Sequence, residues 1–167
     1  MVFLRKILVT TDLSEFSLAA FEYASTACIF FNAEIFLLYV YEGTPAGKNK
    51  PHSDREHHGH THYTEAEALK ALKDFVQSSV NSGLNVHTVV RCGTPADEII
   101  RYAEQEGVDL IVIATHGRTG LRHIVMGSVA ERIVRLSNIP VLSVKPGVFR
   151  DRILIEEDIE NELHLRP

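Results

Sequence analysis

The sequence predicts an α/β fold: a single domain built on a doubly wound, five-stranded parallel sheet with helices on both faces. Strand-like and helix-like segments alternate along most of the chain, which is typical of parallel sheets joined by right-handed crossovers. The strand-like segments are continuous apolar runs, such as Asp109–Ala114, and runs of this kind favour strands buried on both faces. With 167 residues, of which 45% are hydrophobic, the chain can bury one sizeable core. These observations together indicate a Rossmann-like architecture.

The first half of the chain opens as strand, helix, strand, and then repeats the helix and strand after a long connection. Apolar spacing predicts these elements, in order: strand Leu4–Thr11, helix Ser14–Phe31, strand Glu34–Tyr41, helix Thr64–Ser82 and strand Asn85–Arg91. The second helix carries apolar residues at helical spacing and is predicted to stop at Asn81-Ser-Gly83.

The second half continues the alternation. Thr94 supplies a capping hydroxyl and Pro95 suits the first helical position, so a helix is predicted from there to Gly107. The strand Asp109–Ala114 follows, and Val129–Leu136 has helical periodicity. Asn138-Ile-Pro140 ends that helix, and the last predicted strand is Val141–Val144.

Two polar strand exits are predicted to face each other. If the second and third strands lie on one side of the first strand and the last two on the other, the strand order is 3-2-1-4-5, and the order reverses between strands 1 and 4. Ligands of such sheets bind at the carboxyl ends of the strands at that point. Thr10-Thr11-Asp12 follows the first strand and Ala114-Thr-His-Gly117 follows the fourth. We therefore expect a binding crevice between them.

The segment from Ala114 to Ser128 is a glycine-punctuated loop between a strand and a helix. Gly117 and Gly120 can adopt positive φ, and Gly127 and Ser128 would place free amides at the positive end of a helix dipole. This pattern is compatible with phosphate binding and equally with a structural turn. The loop contains no lysine, so it is not a Walker loop.

Asp12 supports two interpretations that can coexist. Asp-Leu-Ser-Glu before an apolar helix is an N-cap pattern, with Asp12 or Ser14 as the cap. A carboxylate at a strand end beside a phosphate loop can also accept hydrogen bonds from ribose hydroxyls.

Composition excludes several classes of function. A net charge of −5 argues against a general nucleic-acid surface, although Arg118, Arg122 and His123 could meet phosphate locally. The apolar runs are too short for membrane spans and the start of the chain lacks signal-peptide order, so we expect a cytoplasmic protein. Cys28 and Cys92 match neither a disulfide framework nor a metal knuckle, and we interpret them as buried thiols. No carboxylate is spaced to orient His116 or His123 as a base, so no catalytic residue is predicted.

Residues 42–63 form a long polar connection with five of the nine histidines. His58, His60 and His62 would share one side of an extended segment and could hold zinc, nickel or copper. The alternative is a solvated loop that binds metal only adventitiously.

The last segment, residues 148–167, is an extension beyond the alternating core. Glu156–Leu165 can form a short acidic helix with Ile155, Ile159 and Leu163 on one stripe. Such a short helix is marginal alone, so we expect its apolar face to dock on its own domain or on a neighbouring chain.

Several ordered blocks resemble the universal stress protein family, in its nucleotide-binding branch, over residues 1 to about 146. The blocks are Ile7-Leu-Val-Thr-Thr-Asp-Leu-Ser-Glu15, Leu37-Leu-Tyr-Val40, Gly93-Thr-Pro-Ala-Asp-Glu-Ile99, Thr115-His-Gly-Arg-Thr-Gly120, Gly127-Ser-Val-Ala-Glu131 and Ile139-Pro-Val-Leu-Ser-Val144. The branch carries Gly-x2-Gly-x9-Gly-Ser/Thr, which Gly117, Gly127 and Ser128 match, whereas its first glycine falls on Ala114. The resemblance implies a stress protein domain over residues 1–147.

The resemblance also implies a role for each matching residue. Asp12 would hold the ribose of ATP or AMP, with or without magnesium, and the Val40 backbone would meet the adenine edge. Thr10 would flank ribose or base. The remaining implied contacts are Ala114, His116 and Gly117 along the nucleotide and Gly127, Ser128 and Val129 around the phosphates.

The same resemblance implies a binding and signalling protein with at most slow hydrolysis or autophosphorylation. It also implies a homodimer that pairs through the last strand, an edge that needs a partner. Two alternatives stay open: a dimeric scaffold with a vestigial site, of which Ala114 would be the sign, and a metal-handling module that uses the histidine-rich loop.

Overall fold

The computed structural model describes residues 3–41, 64–79, 84–116 and 126–146. The elements in chain order are β1 (Lys6–Thr11), α1 (Glu15–Phe31), β2 (Glu34–Tyr41), α2 (Glu65–Ser79), β3 (Val86–Cys92), α3 (Pro95–Glu106), β4 (Leu110–Ala114), α4 (Ser128–Leu136) and β5 (Val141–Val144). The histidine-rich connection, the predicted stop at Asn81-Ser-Gly83 and the extension 148–167 lie outside the described residues.

The five strands form one sheet in the order β3-β2-β1-β4-β5, and all neighbouring pairs are parallel. One apolar cluster packs α1 and α2 on one face of the sheet, and a second packs α3 and α4 on the other. Strand order and the two-sided arrangement of helices confirm the predicted fold. Among the described residues, no helix is both long and apolar enough to cross a bilayer.

Three predicted strands begin later than the apolar pattern suggested, and one of them, β3, runs from Val86 to Cys92 rather than from Asn85 to Arg91. The Asp109 carboxylate accepts hydrogen bonds from the backbone amides of Arg5 and Lys6 at 2.7 and 2.9 Å. These two bonds occupy the amides of Arg5 and Lys6, and β1 starts at Lys6 rather than Leu4. The Asp109 amide donates to the Lys6 carbonyl at 2.9 Å, and β4 starts one residue later than predicted, at Leu110.

The helix ends lie at the predicted capping residues. Ser14 and Thr94 are the N-cap residues of α1 and α3, and Pro95 lies in the first turn of α3 as predicted. The prediction of a capping hydroxyl is wrong at Thr94, because its side chain makes no capping hydrogen bond. α3 ends at Gly107, whose φ of 63° lies in the left-handed region that glycine adopts without strain. The turn before α2 is closed by Glu67, whose carboxylate accepts hydrogen bonds from the amide and hydroxyl of Thr64 at 2.8 Å each.

Alternation along β1 sends its last two side chains to opposite faces. Ile7 and Val9 pack in the α1/α2 cluster, whereas Leu8 packs in the α3/α4 cluster. Because successive residues alternate, Thr11 points toward α1 and Thr10 toward α3 and α4. The carboxyl end of the central strand thus offers a hydroxyl to each side of the sheet.

Candidate functional site

A cavity of about 290 Å³ lies at the carboxyl ends of β1 and β4, between the start of α1 and the start of α4. We call it the crevice. It lies where the strand order reverses, the position expected for a ligand of a doubly wound sheet. The predicted site residues that line it are Thr10, Asp12, Val40, Ala114, His116, Gly127, Ser128 and Val129. Gly117 lies outside the described residues, as do Gly120, Arg118, Arg122 and His123.

Buried polar side chains are concentrated at this crevice. Of the residues that the structure describes, five polar ones are buried, and all five line it: Thr10, Thr11, Ser17, Thr115 and His116. Burial of a polar group costs free energy unless a hydrogen bond compensates. Within the same described ranges, no buried side-chain nitrogen or oxygen lacks a partner. The crevice is therefore a built polar site within an otherwise apolar interior.

On the α1 side, a hydroxyl network fixes the turn after β1. Ser17 Oγ donates to the Ser14 carbonyl at 2.7 Å, so its proton is committed there. The hydroxyl of Thr11, 2.7 Å away, must then donate to Ser17 Oγ, while Thr11 Oγ1 accepts the Leu13 amide at 2.9 Å. Leu13 has a φ of 65°, in the left-handed region that residues with a side chain rarely adopt. The network holds this turn in a conformation that a free chain would avoid.

This turn sets the position of Asp12 at the rim of the crevice. Asp12 Oδ1 accepts the Ser14 amide at 3.1 Å and the Ser14 hydroxyl at 2.5 Å. Ser14, not Asp12, is the N-cap residue of α1, and it makes no side-chain capping hydrogen bond. The structure therefore decides between the two predicted caps, and it leaves the half-buried Asp12 as a residue oriented toward the crevice by its neighbour.

On the opposite side, Thr115 joins the end of β4 to the start of α4. Its amide donates to the Val144 carbonyl at 2.8 Å, and its carbonyl accepts the Gly127 amide at 2.7 Å. Its hydroxyl lies 2.9 Å from His116 Nδ1. The prediction of a free Gly127 amide is thus wrong, because Thr115 occupies it. The amides of Ser128 and Val129, in the first turn of α4, have no carbonyl within the helix to bond.

Gly127 is favoured by space rather than by backbone conformation. Its φ of −67° is ordinary, but a Cβ atom there would lie 3.2 Å from the Thr115 carbonyl oxygen. Ala114 is the last residue of β4 and pairs with Val144. It is not among the described residues with positive φ. Alanine in place of the family glycine therefore imposes no backbone strain at this position.

An apolar slot adjoins the polar part of the crevice. Its side chains come from β2, α3, β4 and α4, and they are Val40, Pro95, Ile99, Ile113 and Ala130. A mostly apolar cavity with a few oriented polar groups is the usual form of a small-molecule site.

The sequence prediction placed Thr11 and Thr115 in the two polar strand exits but gave them no role, and it missed Ser17 and most of the slot. Ser17 had a usable signal: it falls on the stripe of α1 that also buries Ala20, Phe21 and Ala24. A hydroxyl at such a core position needs a buried partner. Thr11 is the nearest polar residue of β1 whose side chain points to the α1 face of the sheet. The slot had no signal, because its residues come from four separate elements.

The described residues offer no alternative chemistry at the crevice. His58, His60 and His62 lie outside the described residues, and within the described ranges no group of three His, Cys, Asp or Glu residues could hold a metal. The Cys28 thiol donates to the Ala33 carbonyl at 2.7 Å, away from the crevice, and burial raises its pKa. A raised pKa disfavours the reactive thiolate, in agreement with a packing role.

Comparison with known proteins identifies the family. The universal stress protein family model matches residues 4–145. Universal stress protein MJ0531 of Methanocaldococcus jannaschii is 36% identical, over 84% of this chain and 82% of its own length. The solved structure of MJ0577, from the same organism, is similar with a TM-score of 0.62 and 28% identity, over 86% of this chain and 97% of that one.

A further solved structure extends the comparison of folds. A universal stress protein from Archaeoglobus fulgidus, solved in complex with dAMP, has a TM-score of 0.57 over 87% of this chain and 100% of that one. At 20% identity this likeness shows the fold alone. With the family model spanning most of the chain and a relative above 30% identity over most of its length, this chain belongs to the universal stress protein family.

Proposed function

We propose that this chain is a stress-response regulatory protein that binds an adenine nucleotide in the crevice between β1 and β4. The observation that carries the proposal is the convergence of all five buried polar side chains of the described residues on one cavity beside an apolar slot. A nucleotide has the same division, with a flat apolar base and a polar sugar and phosphate. The dAMP complex of the relative from Archaeoglobus fulgidus is consistent with this class of ligand in the same fold.

The base occupies the apolar slot in this proposal. Val40 is 9% exposed and Ile99 is 4% exposed, and both line the slot together with Ile113. Val40 ends the part of β2 that faces the crevice, so its backbone can meet the hydrogen-bonding edge of adenine. Thr10, on the same side of the sheet, flanks the sugar or the base.

The ribose lies at Asp12. Ser14 already orients this carboxylate, so the ribose hydroxyls meet an acceptor that is held in place before binding. Preorganisation of this kind reduces the entropy lost when the ligand binds.

The phosphates lie against the first turn of α4. Ser128 and Val129 present amides at the positive end of the helix dipole. They follow Gly127 directly, where a Cβ atom would crowd the Thr115 carbonyl. Among the described residues that line the crevice, none is a lysine or arginine. Backbone amides, with Gly117 and His116 and with magnesium where it is present, therefore supply the phosphate contacts in this proposal.

The proposed output is conformational rather than catalytic. Among the described lining residues, Asp12 and His116 are the ionisable ones. The hydroxyl paired with His116 is that of Thr115, which is only 7% exposed. Slow hydrolysis or autophosphorylation is the most that such a site would support. The functional domain in this proposal is residues 1–147, with residues 148–167 as an extension.

The dimer is also a proposal. In the sheet that the structure describes, β5 pairs with β4 alone, and Leu142 and Ser143 of β5 are exposed. An edge strand of this kind can pair with a second copy of itself about a two-fold axis. Sedimentation equilibrium of the full chain should give a dimer, and Ser143→Pro should shift it toward monomer because proline removes a backbone donor.

Calorimetric titration tests the central proposal. Metal-free protein would be titrated with ATP, ADP and AMP, each with and without magnesium, beside the variant Gly127→Val and the control Val134→Ala. Val134 lies on α4 but is 47% exposed and does not line the crevice. Binding that Gly127→Val abolishes and Val134→Ala retains supports the proposal. A folded parent that binds none of the three nucleotides would contradict it and favour the dimeric scaffold.

A further inference from the structure

An exposed apolar groove runs between α1 and β5. It is lined by Tyr23, Ala27, Phe30 and Phe31 of α1 and by Leu142 of β5. Phe30 is 81% exposed, Tyr23 50% and Leu142 39%. Scattered apolar residues at a surface are ordinary, but large aromatic side chains gathered along one groove mark a site of contact. We call this the α1/β5 groove.

The groove exists because, among the described elements, α1 covers only part of its face of β5: Val144 is 4% exposed and Leu142 is 39% exposed. Leu142 pairs with Val112 and Val144 with Ala114, so both point toward the face on which α1 packs. The opposite face of β5 is turned to α4, where Val141 packs beside Ile133. Among the described elements, α1 is the helix nearest β5 on its own face, and nothing described lies beyond it. The sheet therefore has room for one further element at this position.

We infer that the C-terminal extension of the same chain, residues 148–167, covers the α1/β5 groove. The described chain leaves β5 at Lys145 and Pro146, four residues after Leu142 of the groove. The extension that follows carries Ile155, Ile159 and Leu163, which share one stripe if that segment is helical. A chain that leaves β5 four residues after Leu142 and carries an apolar stripe can turn back and cover the groove itself.

The length of a helix over the extension agrees with the length of the α1/β5 groove. A helix over the ten residues from Glu156 to Leu165 would be about 15 Å long. The α1 side of the groove, from Glu22 to Phe31, spans about 14 Å at the rise of an α-helix. The residues between Pro146 and Glu156 are enough to turn the chain back along β5. The inference goes beyond nucleotide binding and holds whether or not the crevice is occupied.

A single tryptophan tests the inference, because the chain contains none. The variant Leu163→Trp of the full chain places the reporter on the stripe, and Ile159→Trp provides a second reporter in case the first disturbs docking. Acrylamide quenching of each would be compared in folded and urea-denatured protein over a wide range of concentration. Phe30→Asp is then added in the groove. Phe3→Asp is the matched control, because Phe3 is 66% exposed and does not line the groove.

The inference expects quenching to fall several-fold on folding, at every concentration, and to return with Phe30→Asp but not with Phe3→Asp. Circular dichroism would verify that both aspartate variants fold. Three results would overturn it. Both reporters fully quenched in the folded protein would show an undocked extension. Protection that is lost on dilution would assign the groove to a second copy. Protection that survives Phe30→Asp would place the extension elsewhere.

Discussion

The two ends of α1 serve opposite surfaces. At its start, Ser14 and Ser17 belong to the hydroxyl network of the crevice. Each buried side-chain nitrogen and oxygen of the described residues has a hydrogen-bond partner there. At its end, Phe30 and Phe31 are apolar and exposed beside β5. A buried polar site suits a small polar ligand, whereas an exposed apolar groove suits a polypeptide surface. One helix thus separates a ligand site from a chain-contact site.

Substitution at Gly127 should break the crevice and leave the groove intact. In Gly127→Val, the added side chain meets the Thr115 carbonyl, which a Cβ atom would approach to 3.2 Å, and it projects into the space before α4. We expect nucleotide binding to disappear in calorimetry and to be only weakened in Gly127→Ala. Phe30→Asp should bind nucleotide like the parent protein. Equal loss in Phe30→Asp would show that the two ends of α1 are not separate sites.

Removal of the Asp12 carboxylate should have the next largest effect. In Asp12→Ala, the loss of charged hydrogen bonds to ribose should weaken binding about tenfold to a hundredfold. Asp12→Asn keeps an acceptor for Ser14 and so separates orientation from charge. Calorimetric affinities of the three proteins would test this. An unchanged affinity in Asp12→Ala would exclude the ribose contact.

The hydroxyl pair below Asp12 should affect stability as well as binding. Thr11→Val or Ser17→Ala each leaves a buried partner unsatisfied, and we expect each to lower the free energy of unfolding by about 1–3 kcal/mol. The double variant should cost less than the sum of the two, since both partners are then removed. Val134→Ala at the exposed side of α4 should change the free energy of unfolding by less than about 0.5 kcal/mol. Urea denaturation measures all four, and strict additivity would mean that the pair does not act as a unit.

The smallest expected effect lies away from both ends of α1, at the start of α2. Hydrogen bonds from the amide and hydroxyl of Thr64 lower the pKa of Glu67. Because the folded pKa lies below the unfolded one, the contribution of Glu67 to stability is full above the unfolded pKa and is lost as pH falls through the folded pKa. Glu67→Gln should therefore melt at a slightly lower temperature at neutral pH and should lose less on acidification. Thermal melts that differ equally at neutral and acidic pH would contradict this.

The sequence was sufficient for the architecture because each element carries its own signal. β2 and β5 have the predicted bounds, since apolar runs there end abruptly at polar or turn residues. The predicted bounds were less accurate where tertiary contacts set them. At the start of β1, the backbone amides of Arg5 and Lys6 donate to the side chain of Asp109, the residue before β4. The resemblance to the family pointed to eight described residues that line the crevice. It did not locate the Thr11–Ser17 pair, which depends on how α1 packs, or the Thr115 carbonyl that occupies the Gly127 amide.

The most direct test is an amide NMR titration of labelled protein with ATP and magnesium, since it reports on both ends of α1 at once. The account predicts that shifts concentrate at Thr10–Ser17, Thr115–His116 and Gly127–Ala130, while Tyr23, Phe30 and Leu142 do not move. Shifts confined to the groove, or a spectrum that does not change at saturating nucleotide, would contradict the assignment of the crevice as a nucleotide site.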